Sequence, residues 1–267
     1  MLTPNQISRY QSQGFVKGNR LLSEDQVEEL REEMERVIRD KDAGGRQPVQ
    51  IANLSRDANS SIWQIVNIWE ASDAFQKLVF NETLAEEVAQ LVPAKELRIW
   101  HDQIQYKPAG AGGVNMWHQD NPYWPILRPA SQLSAWIALD DVDESNGCMS
   151  MVPGSHLWGP QIQFLHTIKG FDAMPKCFED HEIEVRLCPV RKGEVHFHHS
   201  LTWHGSHANT SGRPRRALAI HYMTDETRYN ASGTHLMKKY VTMADGQPFE
   251  GDHFPLVWSR VKTAAIA

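Results

Sequence analysis

Cysteine is scarce here and badly spaced for a structural role: Cys148, Cys177 and Cys188 are odd in number and irregular in interval. That argues against a disulfide framework and against a cysteine zinc site, and fits a reducing compartment, with a cytoplasmic location the simplest expectation. Long apolar runs are also missing, since none reaches the roughly 20 residues of a membrane-spanning helix. Met1 to Phe15 is polar and broken by Pro4 and Gly14, so it lacks the apolar centre of a secretory signal, and the final Ala264-Ala265-Ile266-Ala267 is no peroxisomal address of the Ser-Lys-Leu kind. Positive charge is in short supply as well. Lys and Arg total 27 against 33 Asp and Glu, a net charge of -6, and the basic residues are scattered rather than striped. Nucleic acid and membrane are therefore poor partners, and a small molecule is the expected one.

What is present is an ordinary globular composition, 41% hydrophobic and 22% charged, without repeats or low-complexity tracts. A chain of 267 residues can bury a full core as one domain, and a single domain over 1–267 is expected. The first part, to about residue 95, reads as helical. Thr3 caps a short helix with Ile7, Tyr10 and Phe15 on its apolar side. Ser23, in a capping box with Gln26, opens a longer helix in which Val27, Leu30, Met34 and Val37 recur at spacings of three and four. A third helix runs near Glu82 to Leu91.

From about residue 96 to 225 the pattern turns to short runs of period two punctuated by Gly, Pro, Asn and Asp, with a C-terminal extension over 226–267. Candidate strands are Leu97 to Lys107, Gln132 to Leu139, Cys148 to Val152, Glu182 to Leu187, Glu194 to His199 and Arg215 to Met223. Many short strands with flanking helices predict a mainly β fold with a double-stranded β-helix core, the jelly-roll of cupins. In the last of these strands alternation places Arg215, Ala217, Ala219 and His221 on one face, and the turn chemistry of 209–214 predicts that this strand folds back on one ending near His204.

Histidine is the unusual residue, with 13 copies, five of them being His196, His198, His199, His204 and His207. His156, His166, His181, His235 and His253 read as surface or hydrogen-bonded residues. His118-Gln119-Asp120 is the one His-x-Asp in the chain. Residues two apart share a face on a strand, about 6.6 Å apart at Cα, so both side chains reach one ion from extended backbone. Pro108, Gly110, Gly112 and Gly113 before the pair, with Pro122 and Pro125 after it, argue against a helix there. Two imidazoles and one carboxylate hold iron(II) on one octahedral face and leave the other positions open. His204 and His199 both stand as the distal imidazole on spacing alone. A buried arginine such as Arg215 suits a bidentate grip on a carboxylate.

The residues Tyr106-Lys107-Pro108, Trp117-His118-Gln119-Asp120, Asn146-Gly147-Cys148, Val152-Pro153-Gly154-Ser155-His156, Gly193 and His204-Gly205-Ser206 with Asn209 and Arg215 resemble the phytanoyl-CoA dioxygenase family of iron(II)/2-oxoglutarate oxygenases. The resemblance implies His118, Asp120 and His204 as iron ligands, and so chooses His204 over His199. It implies Arg215 on the distal carboxylate of 2-oxoglutarate, Ser206 assisting it, and Trp136 and Gln105 flanking the cosubstrate. Trp117, Trp124 and His198 are implied near substrate, and Asn121 beside them offers a hydrogen bond to a polar group, although Trp117, Trp124 and Trp136 also suit plain core packing. The expected reaction consumes 2-oxoglutarate and O2, releases succinate and CO2, and hydroxylates a small metabolite. Asp120 resembles the hydroxylating members, since halogenating ones carry a small residue there. Two other readings stand beside it: a cupin-type metal-dependent hydrolase or isomerase, and a non-catalytic jelly-roll binding protein.

Overall fold

Alternation along two neighbouring strands, Leu133–Ala138 and Arg215–Thr224, decides where everything sits. Leu133, Ala135, Ile137, Leu218 and Ile220 point to one side and join the apolar cluster that also holds Val27, Leu30, Met34 and Val37 of the helix Glu24–Arg39. Trp136, Ala138, Ala217 and Ala219 point to the other, against Cys148, Met149, Met151 and Cys188. A computed structural model describes residues 1–55, 62–110 and 113–261 of the chain; Gly112 and residues 264–267, used above, lie outside the described residues.

The larger sheet has eight strands. Its order runs Phe15–Arg20, Glu194–His199, Leu133–Ala138, Arg215–Thr224, Glu96–Lys107, Trp63–Val66, Gln50–Asn53, with Leu256–Ser259 also on Glu96–Lys107. The smaller sheet has four, ordered Arg186–Cys188, Met149–Met151, His204–Ser206, Asn115–His118. The two lie face to face as the predicted jelly-roll, with antiparallel pairing throughout these sheets. Helices cover the outer face of the larger sheet. Each fully buried aliphatic side chain there contributes roughly 1.5–3 kcal/mol, so the helical layer is what lets the sheet's inner face be given over to polar residues.

The expected capping boxes form at Thr3 with Gln6 and at Ser23 with Gln26. Four expectations need correcting. Phe15 begins a strand rather than closing the first helix, because Gly14 takes a left-handed φ of 82° and ends it; a Cβ there would meet His156 Nδ1 at 2.5 Å and Thr202 Oγ1 at 2.7 Å. The N-terminal part is not purely helical, since Phe15–Arg20, Gln50–Asn53 and Trp63–Val66 all enter the larger sheet. Glu182 to Leu187 is broken into His181–Glu182 and Arg186–Cys188, which belong to different sheets. Finally, Arg215–Thr224 does not pair with the strand of His204. The segment between them passes from one sheet to the other, and the Asn209 amide fixes that corner by donating to Pro108 O at 2.9 Å and Arg213 O at 2.7 Å.

Candidate active site

Strand register brings the two imidazoles together. His204 stands directly opposite His118 across the small sheet, and their ring centroids are 4.1 Å apart. Asp120 arrives by a different route from the one expected. The strand stops at His118, and Asp120 takes helical backbone angles (φ -72°, ψ -48°) at the start of a 3-10 turn, Asn121–Tyr123, in which Pro122 sits. Its backbone N–H donates to Ser200 O at 2.9 Å, while the buried Gln119 side chain donates to Gly159 O and Leu201 O. Turn and anchors together swing the carboxylate back under the two rings.

Asp120 Oδ1 then lies 3.8 Å from His118 Nε2 and 3.4 Å from His204 Nε2. One ligand atom from each of the three residues falls within 4.8 Å of the others, a spacing that could hold a metal ion. The tautomers agree with that use. His118 Nδ1 meets Met116 O at 2.8 Å and His204 Nδ1 meets Thr202 O at 2.9 Å. A carbonyl only accepts, so both Nδ1 atoms carry the proton and both Nε2 lone pairs face the common point. The second carboxylate oxygen, Oδ2, accepts from Ser134 Oγ at 2.9 Å and His198 Nε2 at 3.2 Å. Burial would raise the Asp120 carboxyl, but the neighbouring imidazoles of His204 and His198 hold it well below its usual range. Burial also pushes His118 down to about 4, with His204 adding to the effect.

Beside this trio lies Arg215, 1% exposed, with Nε and Nη1 lacking any protein partner. Its guanidinium sits 5.1 Å over the Trp136 ring. Burial pushes it down to about 10, so it remains charged at neutral pH. A buried cation without a counter-charge is costly and calls for an anion. Ser206 lines the same inner cavity, as do Gln105, Trp136, His198 and Ala219. Lys107, named above only within Tyr106-Lys107-Pro108 and given no role, donates from Nζ to Ser206 Oγ at 2.8 Å and His207 O at 2.7 Å.

A family model for phytanoyl-CoA dioxygenase matches residues 10–217. The chain belongs to the phytanoyl-CoA dioxygenase family. It is 26% identical to the peroxisomal phytanoyl-CoA dioxygenase of Mus musculus, over 92% of this chain and 76% of that one. To the ectoine dioxygenase of Bordetella parapertussis it is 25% identical, over 86% and 78%. Among solved structures it is similar to the non-heme alpha ketoglutarate dependent carbocyclase SnoK from nogalamycin biosynthesis, at 31% identity and a TM-score of 0.78, covering 96% of this chain and 97% of SnoK. The EctD structure from S. alaskensis, at 20% identity and a TM-score of 0.70 over 86% and 78%, supports the fold. Iron and 2-oxoglutarate are the cofactor and cosubstrate of this chain as a family member. The residues present fit both, through the two free Nε2 atoms with Asp120 Oδ1 and through the unpartnered Arg215.

The remaining predicted residues divide. Trp117 and Trp124 line an outer cavity of about 550 Å³ that opens beyond His118 and Asp120. Trp117 is also packed in the core, stacked on Phe171 with its Nε1 donating to Phe171 O. His198 lies behind Asp120 in the inner cavity rather than along the outer one, and the Asn121 amide is turned away to Gln132 Oε1 at 2.9 Å. His199 falls outside the trio, its Nδ1 accepting from Leu201 N. His166 and His235, read as bland, both line the outer cavity along with His101, Gln103 and His221. His221 was legible by alternation; His101 faces the same way because it pairs with His221 in register.

Proposed function

We propose that this protein is an iron(II)/2-oxoglutarate-dependent hydroxylase of a small-molecule metabolite, with His118, Asp120 and His204 as metal ligands. The observation that carries the reading is the pairing, in one buried cavity, of a two-nitrogen, one-oxygen donor set with a guanidinium that has no protein counter-ion. When bound, iron and 2-oxoglutarate would activate O2, the oxidant: one of its oxygen atoms goes into succinate as CO2 leaves, and the other oxidises the substrate. The chain's own work is positional. Met116 O and Thr202 O fix the ligand imidazoles, and Ser134 and His198 hold the far oxygen of Asp120 so that Oδ1 faces inward. Arg215 takes the distal carboxylate of the cosubstrate with Ser206 beside it, and Trp136 and Gln105 wall the site and keep water out. A carboxylate at Asp120 fills the place a halide would need, which disfavours halogenation.

Anaerobic addition of iron(II) and 2-oxoglutarate should produce a weak visible charge-transfer band. Its absence with metal binding intact would favour a hydrolase or isomerase. The likeness to a carbocyclase at 31% identity favours one second outcome, ring closure on the same substrate radical chemistry instead of hydroxyl transfer. Product mass decides it, since hydroxylation adds 16 Da and ring closure removes 2 Da, on the order of integer masses set by the stoichiometry of the reaction. Three free cysteines support a reducing location, for which we take the cytoplasm, and we take the chain as one oxygenase unit. No helix among the described residues is long and apolar enough to cross a membrane.

A further inference from the structure

Among the described residues, the lining of the outer cavity has no Lys or Arg. That lining is amide, imidazole and aromatic, with Gln64, Gln103, His101, His221 and His235 among its polar side chains beside Trp124. At about 550 Å³ it is within the range of roughly 300–1,000 Å³ that takes an organic molecule of metabolite or drug size. A phosphate, a carboxylate or a CoA tail entering it would be desolvated with no cationic side chain of the described residues to meet it.

Three imidazoles lie together in its wall. His101 and His221 are 4.8 Å apart and His101 and His235 5.7 Å, by ring centroid. Their hydrogen bonds fix which nitrogen each leaves free. The Ser134 hydroxyl spends its one proton on Asp120 Oδ2, so at 2.7 Å it must accept from His221 Nδ1–H. His101 Nδ1 faces Asp102 O at 3.2 Å and must donate to it. His235 is the reverse, because its Nδ1 accepts from the Met237 backbone N–H at 3.2 Å. Burial keeps the three rings neutral, with His221 and His235 pushed down to about 4. Each Nε2 is left unclaimed by any hydrogen bond of the described residues. The wall therefore offers two acceptors, at His101 and His221, and one donor, at His235.

Flat apolar surface flanks this polar row. Trp124 meets His221 edge-on at 4.7 Å, and the rim carries Met116, Tyr123 and Leu236, exposed by 41%, 51% and 37%. Tyr123 OH and His166 Nε2, 3.1 Å apart, bridge one side of the mouth.

We infer that the outer cavity is the substrate site and that it takes an uncharged ring compound whose neighbouring hydroxyls donate to His101 and His221 and whose ring oxygen or carbonyl accepts from His235. The inference rests on the proposed function and extends it to a substrate class. It predicts that acyl-CoA esters and phosphorylated metabolites bind more weakly than neutral hydroxylated rings.

Ligand-observed saturation-transfer NMR on the protein loaded with zinc(II), an inert stand-in for iron, and 2-oxoglutarate tests it. The probes are methyl β-glucopyranoside and a trihydroxyflavone, as sugar and phenolic forms of the same chemistry, with flavone, glucose 6-phosphate and benzoyl-CoA as counterparts. At least one hydroxylated neutral probe should bind, and its hydroxyl-free or charged counterpart should bind at least tenfold more weakly, on the order expected for a lost buried hydrogen bond. His101→Phe and His235→Phe should each weaken the bound probe about tenfold while keeping the thermal shift that zinc and 2-oxoglutarate produce. Failure of both hydroxylated probes, equal binding of the charged ones, or full binding by the variants would overturn the substrate class. The comparison of hydroxylated with plain flavone needs no variant, so a misfolded mutant does not leave the matter open. Absence of the zinc and 2-oxoglutarate shift in the unaltered protein would instead overturn the reading of the inner cavity.

Discussion

Replacing Arg215 with methionine should move two quantities in opposite directions. In the ligand-free protein the guanidinium is fully buried, and two of its nitrogens have no partner. Burial takes its pKa from 12.5 to about 10, which at about 1.36 kcal/mol per unit is a penalty near 3 kcal/mol on the charged form. The penalty is complete below pH 10 and is relieved only above it, so an assay at pH 7.5 reads all of it. The Trp136 face returns roughly 1 kcal/mol. Arg215→Met keeps most of the volume and removes the charge, so the apo protein should gain about 2 kcal/mol, equivalent to a melting temperature about 5 °C higher in a chain of this size. Affinity for 2-oxoglutarate should fall, because charge-assisted hydrogen bonds worth about 1.5–3 kcal/mol are lost, roughly a 10- to 100-fold rise in the dissociation constant. Thermal denaturation without ligand, followed by titration of the iron(II) protein with 2-oxoglutarate under anaerobic conditions, measures both. A lower melting temperature together with unchanged 2-oxoglutarate binding would refute the argument, since it would mean that the guanidinium is satisfied within the protein.

Asp120→Ala and His204→Ala should each abolish succinate formation and iron binding, whereas His199→Ala should retain iron; the reverse pattern in a metal assay would exchange the two histidines. Ser134→Ala removes a hydrogen bond to Asp120 Oδ2 and should weaken iron binding about 10- to 100-fold with 2-oxoglutarate affinity unchanged, as read by metal titration. Lys107 is pushed down to about 6 by burial and by the neighbouring Arg215 charge. Between that value and its ordinary 10.5 the unfolded chain holds the extra proton, so apo stability should rise as pH goes from 6 to 9, and Lys107→Met should flatten that slope in a melting-temperature series.

The jelly-roll was legible because its strands alternate: the partition of Arg215, Ala217, Ala219 and His221 from Leu218, Ile220 and Tyr222 is written in the residue types and reappears in the two apolar clusters. The donor residues could be named, but their geometry could not. His118 and Asp120 suggest a shared strand face, yet the trio is assembled by a turn anchored on Ser200 O, eighty positions away, and local spacing carries no trace of such a contact. Short strands such as Gln50–Asn53 and Trp63–Val66 were missed for the same reason, since pairing makes them strands, not propensity: Trp63–Val66 pairs with Glu96–Lys107, and Gln50–Asn53 with Trp63–Val66. His101 lay hidden in a run that reads as continuous alternation. Between His221↔His101 and Tyr222↔Ile99 the register slips by one, leaving Trp100 as the extra residue of a bulge, so alternation counted from the strand's start puts His101 on the wrong face.

The two cavities also divide the chemistry. Gln105, Asn115, His118, Asp120 and His221 line both cavities, whereas Arg215, Ser206, Trp136 and His204 line only the inner one. A metal held by the trio therefore has a cosubstrate side, towards His204 and Arg215, and a substrate side, towards His118 and Asp120. Ser134 joins the sides, because it donates to the ligand carboxylate and accepts from His221 of the substrate wall. Ser134→Ala would release the His221 tautomer as well as Asp120 Oδ2. It should then weaken both iron binding and binding in the outer cavity, and His221→Phe the latter alone. If His221→Phe loses iron as completely as Ser134→Ala does, the hydroxyl is not the link and the two walls are coupled through packing.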